Sequence, residues 1–548
     1  MSSRNIFIWR RSSNKLRQNE AWLEYLCSFG LSLAAIALFL VNLSSLPLLD
    51  LQESTLGQVA KEIYHSTSLG GWIFPTLWHE PYLRPPLVHD LVAVAYSIFG
   101  IGEFSTRIPG ACLGAVSVLL LYQIGREVFV ARLPALFSAL VYLTCLPVVR
   151  YSRIAALDGP LLCFELLTIW AALRSRRNLR WAWVVGAGFS LMSLTNGLFG
   201  LQLLAVVLLF LFWDTPRLLN SNYFWQGLLL GALPSLCWYL VQLDRNLFLE
   251  TQSSLKDLIF SRRAELLPIE RLSSSYYLLY GVQYTLPWVM TFFAGMQLVK
   301  HNLHWGWGKL VTAWLGGYFT LNLLGASHDY CQILPLYPAL ALVGGKQLDT
   351  IRNLPSSVPY PRSWCYGFAA MALVAAIAGL NWGIRDYIDF YLPFICGSLC
   401  VTFSITAIVI AQQDKQFISL LFWGLLVSIF LLLISPHWLW ELDASESLKP
   451  IAESIEQHTP PDTIIYSSRA VARPSLEFYS DRQIISQSIY ELRQRWQQDD
   501  SLYLLVDAET SNAVNLPPTA IIEDRHLKSL GWVLAVKDSA TSFTNCDL

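Results

Sequence analysis

The apolar positions of this chain fall in long unbroken blocks. A helix rises 1.5 Å per residue, so roughly 18 apolar residues in a row cross the hydrocarbon of a bilayer. Blocks of about that size are read as helices near 24–46, 107–126, 133–149, 159–174, 181–195, 198–213, 224–242, 277–297, 309–325, 331–346, 366–382, 390–411 and 417–436. The pattern therefore predicts 13 membrane spans, with the chain termini on opposite sides. The stretch Leu87–Gly100 is short, follows Pro85–Pro86 and contains His89 and Asp90. It reads as a helix at or dipping into the interface, which makes 47–106 one long outer loop. After about residue 440 the pattern changes. Amphipathic signals at Ser447–Gln457 and Ile489–Gln498 alternate with short apolar runs, Thr463–Tyr466, Leu502–Val506 and Trp532–Val536. The expected architecture is an α-helical integral membrane protein with a small soluble α/β domain at its C-terminus. Its parts are a basic N-terminus (1–23), a membrane domain (24–438) and an extracytoplasmic domain (439–548).

Charge orients this arrangement. Arg4, Arg10, Arg11, Lys15 and Arg17 precede the first block, which reads as an uncleaved helix with the N-terminus inside. The expected inner loops carry Arg126 and Arg132, the run Arg174 to Arg180, Arg217, Lys300, Lys346 with Arg352 and Arg362, and Lys415. Only 14% of residues are charged, and the net charge of −1 gives no reason to propose nucleic acid as a partner. The ten cysteines are scattered without CxxC or zinc spacing and read as small core residues. The spans hold few ionisable residues, which argues against a transporter, because transporters place such groups near mid-bilayer.

The polar residues of the expected outer loops gather on one membrane face. They are Asp50, Gln52 and Glu53; Ala60-Lys61-Glu62; Glu80-Pro81-Tyr82-Leu83-Arg84-Pro85-Pro86-Leu87; Arg153 to Asp158; Leu194-Thr195-Asn196-Gly197; and His328-Asp329-Tyr330 to Leu334-Pro335-Leu336-Tyr337-Pro338. Asp158-Gly159-Pro160 reads equally as a plain helix start, since Asp and Pro both suit the first turn.

In this order, together with Gly71-Trp72-Ile73-Phe74-Pro75 and the stretch from Phe99-Gly100 to Arg107-Ile108-Pro109, these pieces resemble the bacterial members of the protein mannosyltransferase and aminoarabinose (lipid A) transferase superfamily. These are multi-spanning glycosyltransferases of the GT-C type, like glycosyltransferase family 39, and the resemblance implies that fold. It further implies a bacterial inner-membrane enzyme that moves a hexose or pentose from a polyprenyl phosphate carrier to a lipid, glycan or protein acceptor on the outer face. The site it implies has Glu53, Asp158 or Asp50 as the carboxylate base, and Arg84, Arg262, Arg263 and Tyr82 around the carrier phosphate. Glu80, Asn196, His328, Asp329 and Tyr330 complete the candidates, and Arg262 with Arg263 reads equally as an interface-anchoring pair.

Several positions depart from the family pattern. Gln52 stands where the usual base Asp is expected, Thr55 and Leu56 replace an Arg and a Tyr, Arg84 replaces a Lys, and Asn196-Gly197 replaces Lys-Gly. Leu83 stands where the aminoarabinose branch has a metal-ligand candidate, so no resident cofactor is specified, and a divalent ion at the phosphate has no complete ligand set in the sequence. The departures leave a second expectation open, a catalytically degenerate member that binds or handles lipid-linked glycans.

Overall fold

In the computed structural model, the described residues are 3–248 apart from 51, 79 and 198; 285–320; 330–355; 358–385; 390–439; and 448–537 apart from 462, 469, 470, 472, 500 and 523. The chain divides into two compact units. One comprises Met1–Leu43, Leu83–Val88 and Arg107–Trp438, and the other Ser44–Tyr82, His89–Thr106 and Leu439–Leu548.

The first unit is helical. Among the described residues, six helices are long and apolar enough to cross a membrane: Ala21–Leu40, Glu103–Val128, Asn222–Gln242, Arg362–Ile384, Tyr391–Ala411 and Phe417–Ile434. A bent pair, Arg132–Leu143 and Leu146–Arg153 at 59°, makes a seventh if it is one span. The other expected spans correspond to shorter or more charged helices. Asp158–Ser175 contains Asp158, Glu165 and Arg174, and Ala182–Asn196, Phe199–Asp214, Val289–His301 and Tyr337–Arg352 have 13 to 16 residues each. Six is thus the number that length and apolarity alone give; thirteen requires the short helices as spans too. The helix Leu87–Phe99 has 13 residues, about 20 Å of rise, which is short of the hydrocarbon thickness.

Two charged layers hold this unit together. At one set of helix ends, Arg126 and Arg132 meet Glu24 at 3.2 and 3.1 Å, Arg174 and Arg177 meet Glu127 at 2.9 and 3.2 Å, and Arg176 and Lys309 meet Asp214 at 2.8 and 3.2 Å. Elsewhere, Arg107 and Arg153 are fully buried. Their guanidinium groups donate to carbonyls at and just beyond the end of the first helix: Arg153 to Leu38 (2.7 Å) in its last turn and Arg107 to Leu43 (2.8 Å) in the turn that follows. The last carbonyls of a helix lack intrahelical donors and form the negative end of its dipole, so cations suit that place. Both guanidinium groups also lie over the Trp438 ring, 5.2 and 4.6 Å from its centroid.

The second unit contains a five-stranded sheet in the order Gln483–Gln487, Ile464–Ser468, Leu502–Asp507, Trp532–Lys537 and Ile521–Ile522. The first three strands are parallel and the last two join antiparallel. Side chains alternate across a strand, and here both faces are covered. Leu505 enters one core with Ile451, Ile455 and Leu476, whereas Leu502, Leu504 and Val506 enter the other with Leu492 and Val514. The helix Ile489–Gln498 begins with a capping box between Ser488 and Glu491. The strands Gln483–Gln487 and Ile521–Ile522 and the helix Pro474–Ser480 are additions to the expected elements. The tail does not stand alone in its unit, since residues 44–82 and 89–106 share it.

Candidate functional site

The first outer loop folds into a compact knot at the start of the helix Glu53–His65. Glu53 is fully buried, and its Oε2 accepts the Leu49 N–H at 2.8 Å. Ser54 donates its N–H and its hydroxyl to the Leu49 carbonyl, at 3.1 and 3.0 Å. Asp50 is engaged at both oxygens: Oδ1 accepts the Ser475 N–H (3.2 Å) and Oδ2 pairs with Arg473 (3.3 Å). Gln52 precedes the helix, exposed and without a side-chain cap bond.

The motif residues that follow are also committed. Lys61 Nζ meets Asp481 Oδ1 at 2.7 Å. Glu62 accepts from the Thr76 hydroxyl at 2.7 Å and from the Trp78 N–H at 2.5 Å, which fixes the small hairpin Thr76–Leu77 with Glu80–Pro81. That hairpin turns through Trp78 at φ 52°, and Glu80 on its return strand is exposed. Tyr82 leaves the hairpin with its ring edge-on to His89, centroids 5.3 Å apart.

Arg84 is different. It is half-buried, in the bend before Pro85-Pro86 and the helix Leu87–Phe99, and its guanidinium makes no hydrogen bond or ion pair with any described residue. In the next helical turn is Asp90, which the candidate residues above do not include. Its Oδ1 is buried with no hydrogen-bond partner among the described residues, and burial pushes its carboxyl up to about 7. The sequence did signal it, as an acid inside an apolar run.

Asp158 is buried and occupies the first position of the helix Asp158–Ser175, with Leu157 in the cap position. It is therefore not the N-cap that the plain helix-start reading would make it. Gly159 is required beside it, because a Cβ there would come within 2.7 Å of the Ser152 Cα. Two turns further on, Glu165 is fully buried and Oε1 accepts the Trp314 indole N–H at 2.8 Å. That buried acid was not among the sequence candidates either. Asn196 ends the helix Ala182–Asn196, and Gly197 follows at φ 54°, so this pair is a helix stop that glycine makes cheap.

Arg262, Arg263, His328 and Asp329 lie outside the described residues. Tyr330 opens the 3-10 segment Tyr330–Leu336, and its side chain also lies outside them. Among the described residues, no three His, Cys, Asp or Glu side chains come together as a metal ligand set. No step is routed through a divalent ion.

Residues 83–239 match the family described as dolichyl-phosphate-mannose-protein mannosyltransferase; Arg84, Asp158 and Asn196 fall inside that stretch. An uncharacterised protein of Aquifex aeolicus is 26% identical over 282 residues, 50% of this chain and 55% of that one. The undecaprenyl phosphate-alpha-4-amino-4-deoxy-L-arabinose arabinosyl transferase of Pseudomonas savastanoi pv. phaseolicola is 29% identical over 181 residues, 32% of this chain and 31% of that one. The chain thus spans between about a third and about half the length of these relatives. The crystal structure of ArnT from Cupriavidus metallidurans bound to undecaprenyl phosphate superposes with TM-score 0.73 at 18% identity, covering 95% of this chain and 98% of that one. Its apo form gives 0.72. Residues 83–239 are thus similar in sequence to that mannosyltransferase family, and the chain as a whole shares the fold of ArnT.

Proposed function

We propose that the protein transfers a sugar from a polyprenyl phosphate carrier to a hydroxyl or phosphate acceptor on the outer face of a bacterial inner membrane. The observation that carries this reading is the uncommitted, half-buried Arg84 guanidinium at the start of the family-matched stretch. The buried Arg107 and Arg153 donate to the carbonyls of Leu43 and Leu38, whereas Arg84 makes no such bond among the described residues. A guanidinium fork matches phosphate geometry. The solved relative with this fold held undecaprenyl phosphate, which supports the same lipid class here.

In the transfer, the acceptor oxygen attacks the anomeric carbon and the bond from that carbon to the carrier phosphate breaks. The electron pair leaves with the phosphate, which Arg84 stabilises, and the acceptor proton passes to a carboxylate. We assign the proton to Asp158, the buried carboxylate that opens the helix Asp158–Ser175 within the family-matched stretch, with Glu53 and Asp50 as the other candidates. The further candidates from the sequence are Tyr82 for the phosphate and Glu80, Asn196, His328, Asp329 and Tyr330 for the sugar or acceptor. Arg262 and Arg263 are the further cations proposed for the phosphate. The topology is thirteen spans over 24–438, N-terminus cytoplasmic and residues 439–548 extracytoplasmic. The ion pairs at Glu24, Glu127 and Asp214 support it, since all fall at ends of expected spans assigned to the inner side.

A second reading, a non-catalytic handler of lipid-linked glycans, is favoured by Gln52 and by the engagement of both Asp50 oxygens. Native mass spectrometry of the gently solubilised protein separates them. A co-purifying polyprenyl phosphate that Arg84→Ala loses supports the donor site. Retention of that lipid by the variant rejects the clamp. Sugar-loaded lipid that is held but never discharged in the presence of acceptor lipids favours the handler.

A further inference from the structure

Glu165 is a buried acid in the helix that begins with Asp158, and the proposed transfer gives it no role. Asp158, Leu162 and Glu165 follow one another at intervals of four and three residues, so they lie along one face of that helix. The 3-10 segment Tyr330–Leu336 meets this face. One turn beyond Asp158, Leu162 packs with Leu334, both buried, and Tyr151 covers them. One turn further, Glu165 is tied to the same segment through a third element. The Trp314 indole N–H is shared between Glu165 Oε1 at 2.8 Å and the Pro335 carbonyl at 2.9 Å. All of these residues belong to the first compact unit.

Trp314 is fully buried and sits in the π-helical turn Ala313–Gly317, which continues the helix Gly306–Thr312. A π turn holds an extra residue and re-aims the side chains around it. One donor thus joins the helix of Asp158, the π turn and the segment that leads into the helix Tyr337–Arg352. Glu165 Oε2 is buried with no hydrogen-bond partner among the described residues. An oxygen in that state costs free energy, and a leucine would fill the space without that penalty. A leucine could not, however, accept the indole N–H.

We infer that Glu165 is a positioning residue for transfer: through the Trp314 indole it locks the segment Tyr330–Leu336 along the helix face that carries Asp158. The inference rests on the transferase reading above, with Asp158 as the proton acceptor. A reacting group displaced by about 1 Å can lose about a hundredfold in rate. The lock therefore acts on kcat. Arg84, which holds the carrier phosphate in that reading, is not one of the locked residues, so donor KM stays as it is.

The test uses the full chain in nanodiscs, with Glu165→Gln, Glu165→Leu, Trp314→Phe, the double variant Glu165→Leu with Trp314→Phe, and Asp158→Asn. Trp423→Phe, at an exposed tryptophan of the helix Phe417–Ile434, is the control. The donor is the sugar-loaded lipid that co-purifies or, where none does, undecaprenyl phosphate carrying aminoarabinose. Glu165→Leu and Trp314→Phe each lower kcat about tenfold or more, with donor KM unchanged within about twofold. Glu165→Gln, whose amide oxygen still accepts the indole N–H, keeps kcat within about threefold, and Trp423→Phe keeps all of it. The double variant loses no more than the worse single variant, because both remove the same contact. Hydrogen exchange along Tyr330–Leu336 rises about fivefold or more in the two damaging variants, while Phe417–Ile434 stays protected. Losses that multiply in the double variant overturn the positioning role. So do a Glu165→Gln as poor as Glu165→Leu, a wild-type kcat in Glu165→Leu, and unchanged exchange along Tyr330–Leu336. Exchange that rises along Phe417–Ile434 as well would mean general unfolding and would also overturn it. Full turnover in Asp158→Asn rejects Asp158 as the base, and the inference with it. A wild type that discharges no donor rejects the transferase reading itself, before any variant is compared.

Discussion

The start of the first outer loop, residues 50–62, and its later segment from Tyr82 to Asp90 are both rich in polar side chains, and the structure uses them in opposite ways. In the loop, Asp50, Glu53, Lys61 and Glu62 all bind other parts of the protein. In the later segment, the Arg84 guanidinium and the Asp90 Oδ1 have no hydrogen-bond partner among the described residues. A polar group left unpaired in a buried place costs free energy, so it persists where something else completes it. A residue that fits a family motif can be fully occupied by structure, and a residue outside any motif can be the available one.

The strongest way to break the comparison is to move the base. Asp158→Asn should lower turnover on the order of 10²- to 10⁴-fold, the usual worth of a general base, with normal expression. Turnover within a few-fold of wild type in a discontinuous transfer assay, together with a large loss in Glu53→Gln, would return the chemistry to the first loop. Next in size, Arg84→Ala should reduce kcat/KM about 10- to 100-fold, the worth of charge-assisted hydrogen bonds of roughly 1.5–3 kcal/mol, and Arg84→Lys should keep part of it. Equal donor affinity in wild type and alanine variant, by lipid titration, would end the contrast between the two regions.

Smaller still, Asp50→Asn should lower kcat a few-fold at most and leave the donor KM unchanged, since its carboxylate binds Arg473 and the Ser475 N–H rather than substrate. A loss as deep as that of Asp158→Asn would mark Asp50 as the base.

The smallest effect concerns stability. Burial raises the Asp90 carboxyl to about 7, so the folded protein favours its neutral form. Stability from this group is complete below about pH 4, the unfolded value, and falls as pH rises through about 7. Asp90→Asn should therefore raise stability by on the order of 1–2 kcal/mol at pH 8, after discounting for the partial exposure of the group, and the gain should shrink toward pH 4. A thermal-shift difference that does not vary with pH would show that Asp90 already has a partner.

Much of the scaffold was legible along the chain. The apolar blocks mark helices because covering backbone polar groups in lipid leaves few alternatives. In the tail, alternating apolar positions located the strands Ile464–Ser468, Leu502–Asp507 and Trp532–Lys537, and Ile489–Gln498 was bounded by its Ser–Glu cap. The strand Gln483–Gln487 was not legible, since only Ile484 and Ile485 interrupt its polar residues, and neither was Ile521–Ile522, two residues long. The span count was only partly legible, because helices such as Asp158–Ser175 carry charges that hydropathy penalises and that packing hides.

The sequence by itself marked the long apolar helices and the mixed α/β pattern of the tail, and the order of its polar loops carried the resemblance to the superfamily. Periodicity and local order hold that information, because helix and strand formation depend on near neighbours. Only the tertiary structure decided what the polar residues do. Asp50 became a docking residue because Arg473 and Ser475 fold onto it, and Arg107 and Arg153 became donors to backbone carbonyls because those of Leu43 and Leu38 lie beside them. The role of a charged side chain is set by the donors and acceptors it meets, and those arrive from distant positions that no local pattern records.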